Sequence, residues 1–120
     1  VAKNEVLYDA ANVVVNKQSV ASGDPVGVGA TVTALLTGVA LVAASATTPY
    51  PVTIRRQGVF NLSVKGIDGG GNSAVALYDA IYYVEADTPK LSKKATGTLF
   101  GWALGTVTSG STTTIPVLLK

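Results

Sequence analysis

The sequence predicts an all-β fold. Two features of composition carry that reading. Val, Thr and Ile fill 36 of the 120 positions, and side chains branched at Cβ are stiff about χ1 and fit a pleated sheet better than a helix. Thirteen Gly and five Pro break the chain into short segments, and Met is absent. Glu, Gln and Arg are scarce as well, so few strong helix formers remain. The length suits one domain, organised as an arm over residues 1–11 and a single β domain over 12–120.

Taken in order, Val6-Leu7-Tyr8 offer an extended segment in the arm, and Asp9 to Asn12 reads as a break. Asn12 to Val15 is a short strand closed by the polar run Asn16 to Ser19. Ser22-Gly23-Asp24-Pro25 is a turn, because Gly frees the backbone, Asp can bond the chain ahead and Pro fixes φ. It launches a strand over Val26 to Gly29. Thr31 to Ala43 mixes helical and strand periodicity, and Gly38 in mid-run predicts two strands with a turn between them. Thr47 to Pro51 is a loop.

Pro51 to Ile54 and Gly58 to Val64 read as strands flanking Arg55-Arg56-Gln57, with Phe60, Leu62 and Val64 on one face by period two. Gly66 to Asn72 is expected as a flexible loop. Ala74 to Leu77 and Ala80 to Val84 are expected as strands around Tyr78-Asp79. Glu85 to Pro89 turns the chain, and Lys90 to Thr96 is a polar connector. Thr98 to Leu104 holds the only Trp. Thr112 to Leu119 is a final strand in which Pro116, having no N–H, belongs at an edge or bulge.

Charge narrows the function. Asp, Glu, Lys and Arg make up 13% of the chain, against about 25% in typical soluble domains, which fits a protein that buries surface against partners. The net charge of +2 is small and its basic residues are scattered, so no nucleic-acid partner is expected. No Cys and no His are present, which removes disulfides, thiol chemistry, the commonest general base and the commonest zinc ligand. Val1 to Ala11 has no apolar core of the kind a secretory leader needs. Pro25 to Ile54 carries no charge, yet Gly, Thr and Pro interrupt any window of the ~20 apolar residues that a spanning helix requires. Buried strands or a short core helix are expected there, and no membrane partner.

Few residues invite chemistry. Asp68-Gly-Gly-Gly-Asn72 lacks the alternating acidic ligands and closing Glu of a calcium loop. Glu85 and Asp87 could pair as glycosidase carboxylates, but a solvated turn explains them. Ser92-Lys93 are neighbours on an extended segment and point to opposite faces. Neither catalytic residues, cofactor nor metal is therefore expected. Arg55-Arg56 could meet an acidic partner surface. Tyr82, Tyr83, Phe100 and Trp102 belong either to the core or to an interface, where Trp and Tyr are enriched.

Several motifs occur together and in order: Ala2-Lys-Asn-Glu-Val6, Ser22-Gly-Asp-Pro-Val26, Gly38-Val-Ala-Leu41, then Arg56-Gln-Gly-Val-Phe-Asn-Leu-Ser-Val64. Asp79-Ala-Ile-Tyr-Tyr83, Lys90-Leu-Ser92, Thr98-Leu-Phe-Gly-Trp-Ala103 and the apolar C-terminal strand follow. In this the chain resembles the tailed-phage capsid cement, or head decoration, proteins, across nearly its whole length. One departure stands out, since that family often has Gly-Asp at the turn where this chain has Tyr78-Asp79. The resemblance implies a small single-domain β-barrel or sandwich with an extended N-terminal arm. It also implies a structural virion protein on the outer surface of the phage head, stabilising the major capsid protein shell as a homo-oligomer, dimer or trimer. It implies no catalysis. The candidate partner-binding residues are Lys3, Asn4, Val6, Leu7 and Tyr8 of the arm, with Arg55 and Arg56. The alternative is a carbohydrate-binding or other surface adhesion module built on exposed aromatics.

Overall fold

The computed structural model describes residues 11–44 and 50–120, and among them every regular element is a strand. These are β1 (Asn12–Lys17), β2 (Pro25–Val28), β3 (Leu36–Ala40), β4 (Tyr50–Arg55), β5 (Val59–Lys65), β6 (Ile67–Asp68), β7 (Gly71–Asn72), β8 (Ala80–Tyr83), β9 (Leu91–Ser92), β10 (Thr98–Ala103) and β11 (Thr112–Leu119). The first four form one antiparallel sheet in the order β1-β4-β3-β2, and β10-β11-β5-β9-β8 closes into a barrel. The fold is thus all-β, as the composition predicts, and of the two forms that the resemblance implies, barrel or sandwich, it contains a barrel. Of the expected arm, residues 1–10 lie outside the described residues.

Period two organises the barrel. β11 pairs with β5 from Thr112↔Lys65 to Leu118↔Val59. Its residues Ile115, Val117 and Leu119 point inward to meet Leu62 and Val64 of β5. Tyr83 and Phe100 fill the same interior, stacked with ring centroids 6.3 Å apart. The sheet builds a second core from Val20, Val26, Ala40, Val52 and Ile54.

A polar and steric junction joins the two halves. The Thr98 hydroxyl, buried at the start of β10, accepts from the Leu35 N–H at 3.0 Å and donates to the Val32 carbonyl at 2.9 Å. The Tyr83 ring presses on Gly27, where a Cβ would stand 2.6 Å from Tyr83 Cε1. The Tyr83 hydroxyl donates to Glu85, and Glu85 pairs with Lys17 of β1 at 2.7 Å. Lys17 also donates to the Gly27 carbonyl at 3.1 Å. Among the described residues every buried side-chain polar atom has a partner, which is what keeps such a contact from costing stability.

Several elements differ from the sequence expectation, each for a visible reason. Gly38 makes no turn. It sits inside β3, where a Cβ would meet the Arg55 carbonyl at 2.7 Å and Ile54 Cδ1 at 3.0 Å, so its lack of a side chain permits close strand approach. Gly66 to Asn72 is no loose loop: β6 and β7 pair, and the Asp68 carboxylate accepts the Gly70 N–H at 2.8 Å. Ala74 to Leu77 is not a strand, and only Val75 bridges, to Val107. Lys90 to Thr96 contains β9, whose Leu91 is buried in the barrel and pairs parallel to Val64. Pro116 lies in a strand paired on both sides. Its carbonyl accepts from Leu104 N–H just past the end of β10, so the missing N–H falls where the neighbour has stopped. The uncharged stretch supplies β2, β3 and most of β4, and among the described residues no helix is long and apolar enough to cross a membrane.

Gly38→Ala is expected to destabilise the protein by about 1–3 kcal/mol, the usual cost of forcing extra volume into a packed site. Gly69→Ala, where a Cβ meets nothing within 4 Å, should stay within about 0.5 kcal/mol of the parent. Urea denaturation of both variants checks the pair.

Candidate partner-binding surface

The outer face of the barrel concentrates exposed apolar side chains. Directly opposed residues of paired strands project from the same face, and the register Ala80↔Trp102, Trp102↔Leu118, Leu118↔Val59 runs one row across β8, β10, β11 and β5. Trp102, Leu118 and Val59 in that row are exposed, and so are Leu77 and Tyr78 at the turn before β8. Tyr82 and Leu99, half-buried, pair alongside.

Trp102 faces outward because of a defect in β10. Thr98 and Phe100 are buried, so strict alternation would carry Trp102 inward too. A β-bulge between Leu99 and Gly101 shifts the register, inserting one residue and reversing the alternation beyond it. Gly101 tolerates this because it has no side chain; a Cβ there would collide with the Leu118 carbonyl.

The turn at Tyr78 is held from several sides. The Ala76 carbonyl accepts from the Asp79 N–H at 3.2 Å, and the Tyr78 N–H donates to the Ala103 carbonyl at 2.7 Å. The Asp79 carboxylate accepts the Ala76 N–H at 2.8 Å and pairs with Lys93 at 3.2 Å. Tyr78 occupies the third position of this turn with φ +71°, a place where glycine or asparagine is normally required.

The remaining charged residues near the candidate chemistry are committed to structure. Glu85 pairs with Lys17 and, at 3.9 Å, with Lys90. Asp87 pairs with Lys94 at 2.8 Å. Ser92 is buried and its hydroxyl accepts the Lys94 N–H, while Lys93 donates to the Ala74 carbonyl. A groove of about 300 Å³ runs between the Gly23–Pro25 turn, β5 residues Asn61 to Ser63 and the Asp87–Lys90 loop. Among the described residues no cluster of three or more acidic side chains could hold a metal.

Burial raises the Glu85 pKa, but hydrogen bonds from Lys17 and Tyr83 and the charges of Lys17 and Lys90 outweigh it and hold the carboxyl below its ordinary value. The Ala76 N–H, against a smaller opposing effect of burial, and then Lys93 hold Asp79 low. Burial and the neighbouring Glu85 carboxylate push the Tyr83 phenol well up.

Of the sequence-predicted contacts, Lys3, Asn4, Val6, Leu7 and Tyr8 lie outside the described residues. Arg55 closes β4 on the exposed side, and Arg56 follows half-buried. The Arg56 N–H donates to the Ala11 carbonyl at 2.7 Å, so the arginines stand beside the point where the N-terminal segment joins β1. The four aromatics divide: Tyr83 and Phe100 are core, Tyr82 is half-buried and Trp102 is exposed. Leu77, Tyr78, Leu118 and Val59 were not legible as site residues, because only strand register and the bulge bring them together.

The site is thus a closed barrel with ion pairs bracing its loops and an apolar outer wall. The chain belongs to the phage cement protein family, whose pattern it matches over residues 8–119. This is a family of structural phage proteins and not of enzymes, and membership gives the chain a capsid-associated role in the virion. No curated protein and no solved structure matches the chain.

The two depressed carboxyls set an acid limb on stability. Asp79 and Glu85 ionise more readily in the fold than in the unfolded chain. The stability they contribute is therefore complete above the unfolded values of about 4 and drains away as the pH falls through the lower folded ones. Thermal melts followed by circular dichroism are expected to hold level down to about pH 5 and then fall. Asp79→Asn and Glu85→Gln should each flatten that fall.

Proposed function

We propose that this chain is a cement protein of the outer head surface, binding the assembled major capsid protein and stabilising the shell. The single observation that carries the proposal is the family match over residues 8–119. The physics supports it: a protein that binds the assembled lattice but not its dissociated parts stabilises the lattice by mass action. Repetition over a symmetric shell multiplies contacts that are individually weak.

The proposed shell contacts are Lys3, Asn4, Val6, Leu7 and Tyr8 with Arg55 and Arg56. Two features support them. The arginines adjoin Ala11, where the N-terminal segment joins the fold. Among the described residues β1 pairs only with β4, leaving a strand edge to which an extended segment of a capsid subunit can add. The protein is further proposed to act as a homo-oligomer. The carbohydrate-binding alternative rests on exposed aromatics and Thr-rich strands, and of Tyr82, Tyr83, Phe100 and Trp102 two are buried in the barrel.

Purified chain added to undecorated heads is expected to co-sediment with them and to raise their rupture temperature. Heads that neither retain the chain nor gain heat resistance would overturn the proposal. Removing residues 1–11 should lower head occupancy while leaving the domain folded; full occupancy by the shortened chain would take the shell contact away from that segment.

A further inference from the structure

We propose that Asp68 and Gly69, at the tip of the β6–β7 hairpin, form a site of spontaneous backbone modification, where aspartate converts through a cyclic imide to isoaspartate while the barrel stays folded. The reaction needs neither an enzyme nor a capsid, so it stands or falls apart from the shell-binding proposal.

The chemistry lies between two adjoining groups. The Gly69 nitrogen attacks Asp68 Cγ while the carboxyl is protonated. A C–N bond forms, the C–OH bond breaks, and the hydroxyl leaves as water with the amide hydrogen. Water then opens the five-membered imide. Opening at Cγ restores aspartate. Opening at the main-chain carbonyl carbon frees that carbon as a carboxylate and runs the backbone through Cβ and Cγ, one carbon longer.

The first ground is access. Asp68 is the one Asp or Asn in the sequence that is followed by Gly, so no side chain shields the attacking nitrogen. Gly69, Gly70 and Gly71 are exposed, and a Cβ on Gly69 would meet nothing within 4 Å.

The second ground is alignment. Asp68 Oδ1 accepts the Gly70 N–H at 2.8 Å. The ring closed by this hydrogen bond includes Cγ, Cβ, Cα and the carbonyl carbon of Asp68 and the nitrogen of Gly69, which are the five atoms of the imide. The carboxyl is thereby folded back beside its own main chain, and groups held in one ring need little further ordering to meet.

The third ground is that other positions lack one of these conditions. Pro25, after Asp24, has no N–H to lose. Asp79 and Asp87 precede Ala80 and Thr88, and their carboxylates pair with Lys93 and Lys94. Asn72 is exposed like the glycines before it, but the Ser73 N–H that would have to react donates to the Gly66 carbonyl at 2.9 Å.

The hairpin is also built to carry the change. Its base is tied down where Lys93 N–H donates to the Ile67 carbonyl at 2.9 Å and Gly110 N–H to the Gly66 carbonyl at 2.8 Å. The extra carbon enters beyond these ties, beside three glycines whose backbones take up the displacement.

The test holds the full chain for weeks in warm, mildly acid water enriched in oxygen-18, then maps tryptic peptides by electron-transfer fragmentation, which tells isoaspartate from aspartate by position. Isoaspartate bearing the heavy oxygen is expected at Asp68, forming about tenfold faster than at Asp79 or Asp87. Gly69→Ala, whose methyl group shields the nitrogen and touches nothing else, should slow it about tenfold. Asp68→Asn should speed imide formation, because an amide reacts without first being protonated. The modified chain should melt with the parent. Asp68 left intact in the protein after it has converted in a free peptide of residues 66–73 overturns the proposal. So does isoaspartate spread evenly over the three aspartates, or formed as fast in Gly69→Ala as in the parent. A modified chain that melts well below the parent overturns the sparing of the barrel.

Discussion

Tyr83 stands where the barrel meets the sheet, and its burial makes one body of the two. Its ring stacks on Phe100 inside the barrel and leaves no room for a Cβ on Gly27 of β2. Its hydroxyl reaches Glu85, which in turn holds Lys17 of β1. A buried phenol that lost this acceptor would bear the full cost of desolvation. The arrangement therefore penalises any separation of the halves, and the Thr98 bridge to Val32 and Leu35 repeats the constraint a few ångströms away.

With the interior fixed in this way, the exterior of β10 is free to serve partners. Its first half points Thr98 and Phe100 inward, toward the junction and the core. Its second half, turned by the bulge at Gly101, points Trp102 outward onto the wall. The low charge of the chain then has a physical sense. Among the described residues, Asp79 with Lys93 and Asp87 with Lys94 brace loops, and the barrel wall bearing Trp102, Leu118 and Val59 is apolar. For a member of a cement family, which must hold many copies on one lattice, a stiff body with an uncharged face suits repeated packing.

The β class was legible from composition, and so were the strands whose apolar residues alternate cleanly, such as those containing Phe60 to Val64 and Ile115 to Leu119. What escaped was decided by contacts distant in sequence. Gly38 looked like a turn because the carbonyl of Arg55 that presses on it is supplied by another strand. Leu91 looked like part of a polar connector because its two-residue strand is defined by Val64 and Tyr83. Trp102 and Phe100 shared a face by period two until a bulge separated them. The Tyr-Asp pair at positions 78 and 79 was visible as a departure from the family's Gly-Asp. Only the backbone shows that a tyrosine there occupies a glycine conformation.

The central proposal is that this member of the cement family binds the outside of an assembled head. A cryo-electron microscopy difference map between heads with and without the chain tests it most directly. The expected result is added density on the outer face of the shell. Density on the inner face, or no added density, would contradict the account.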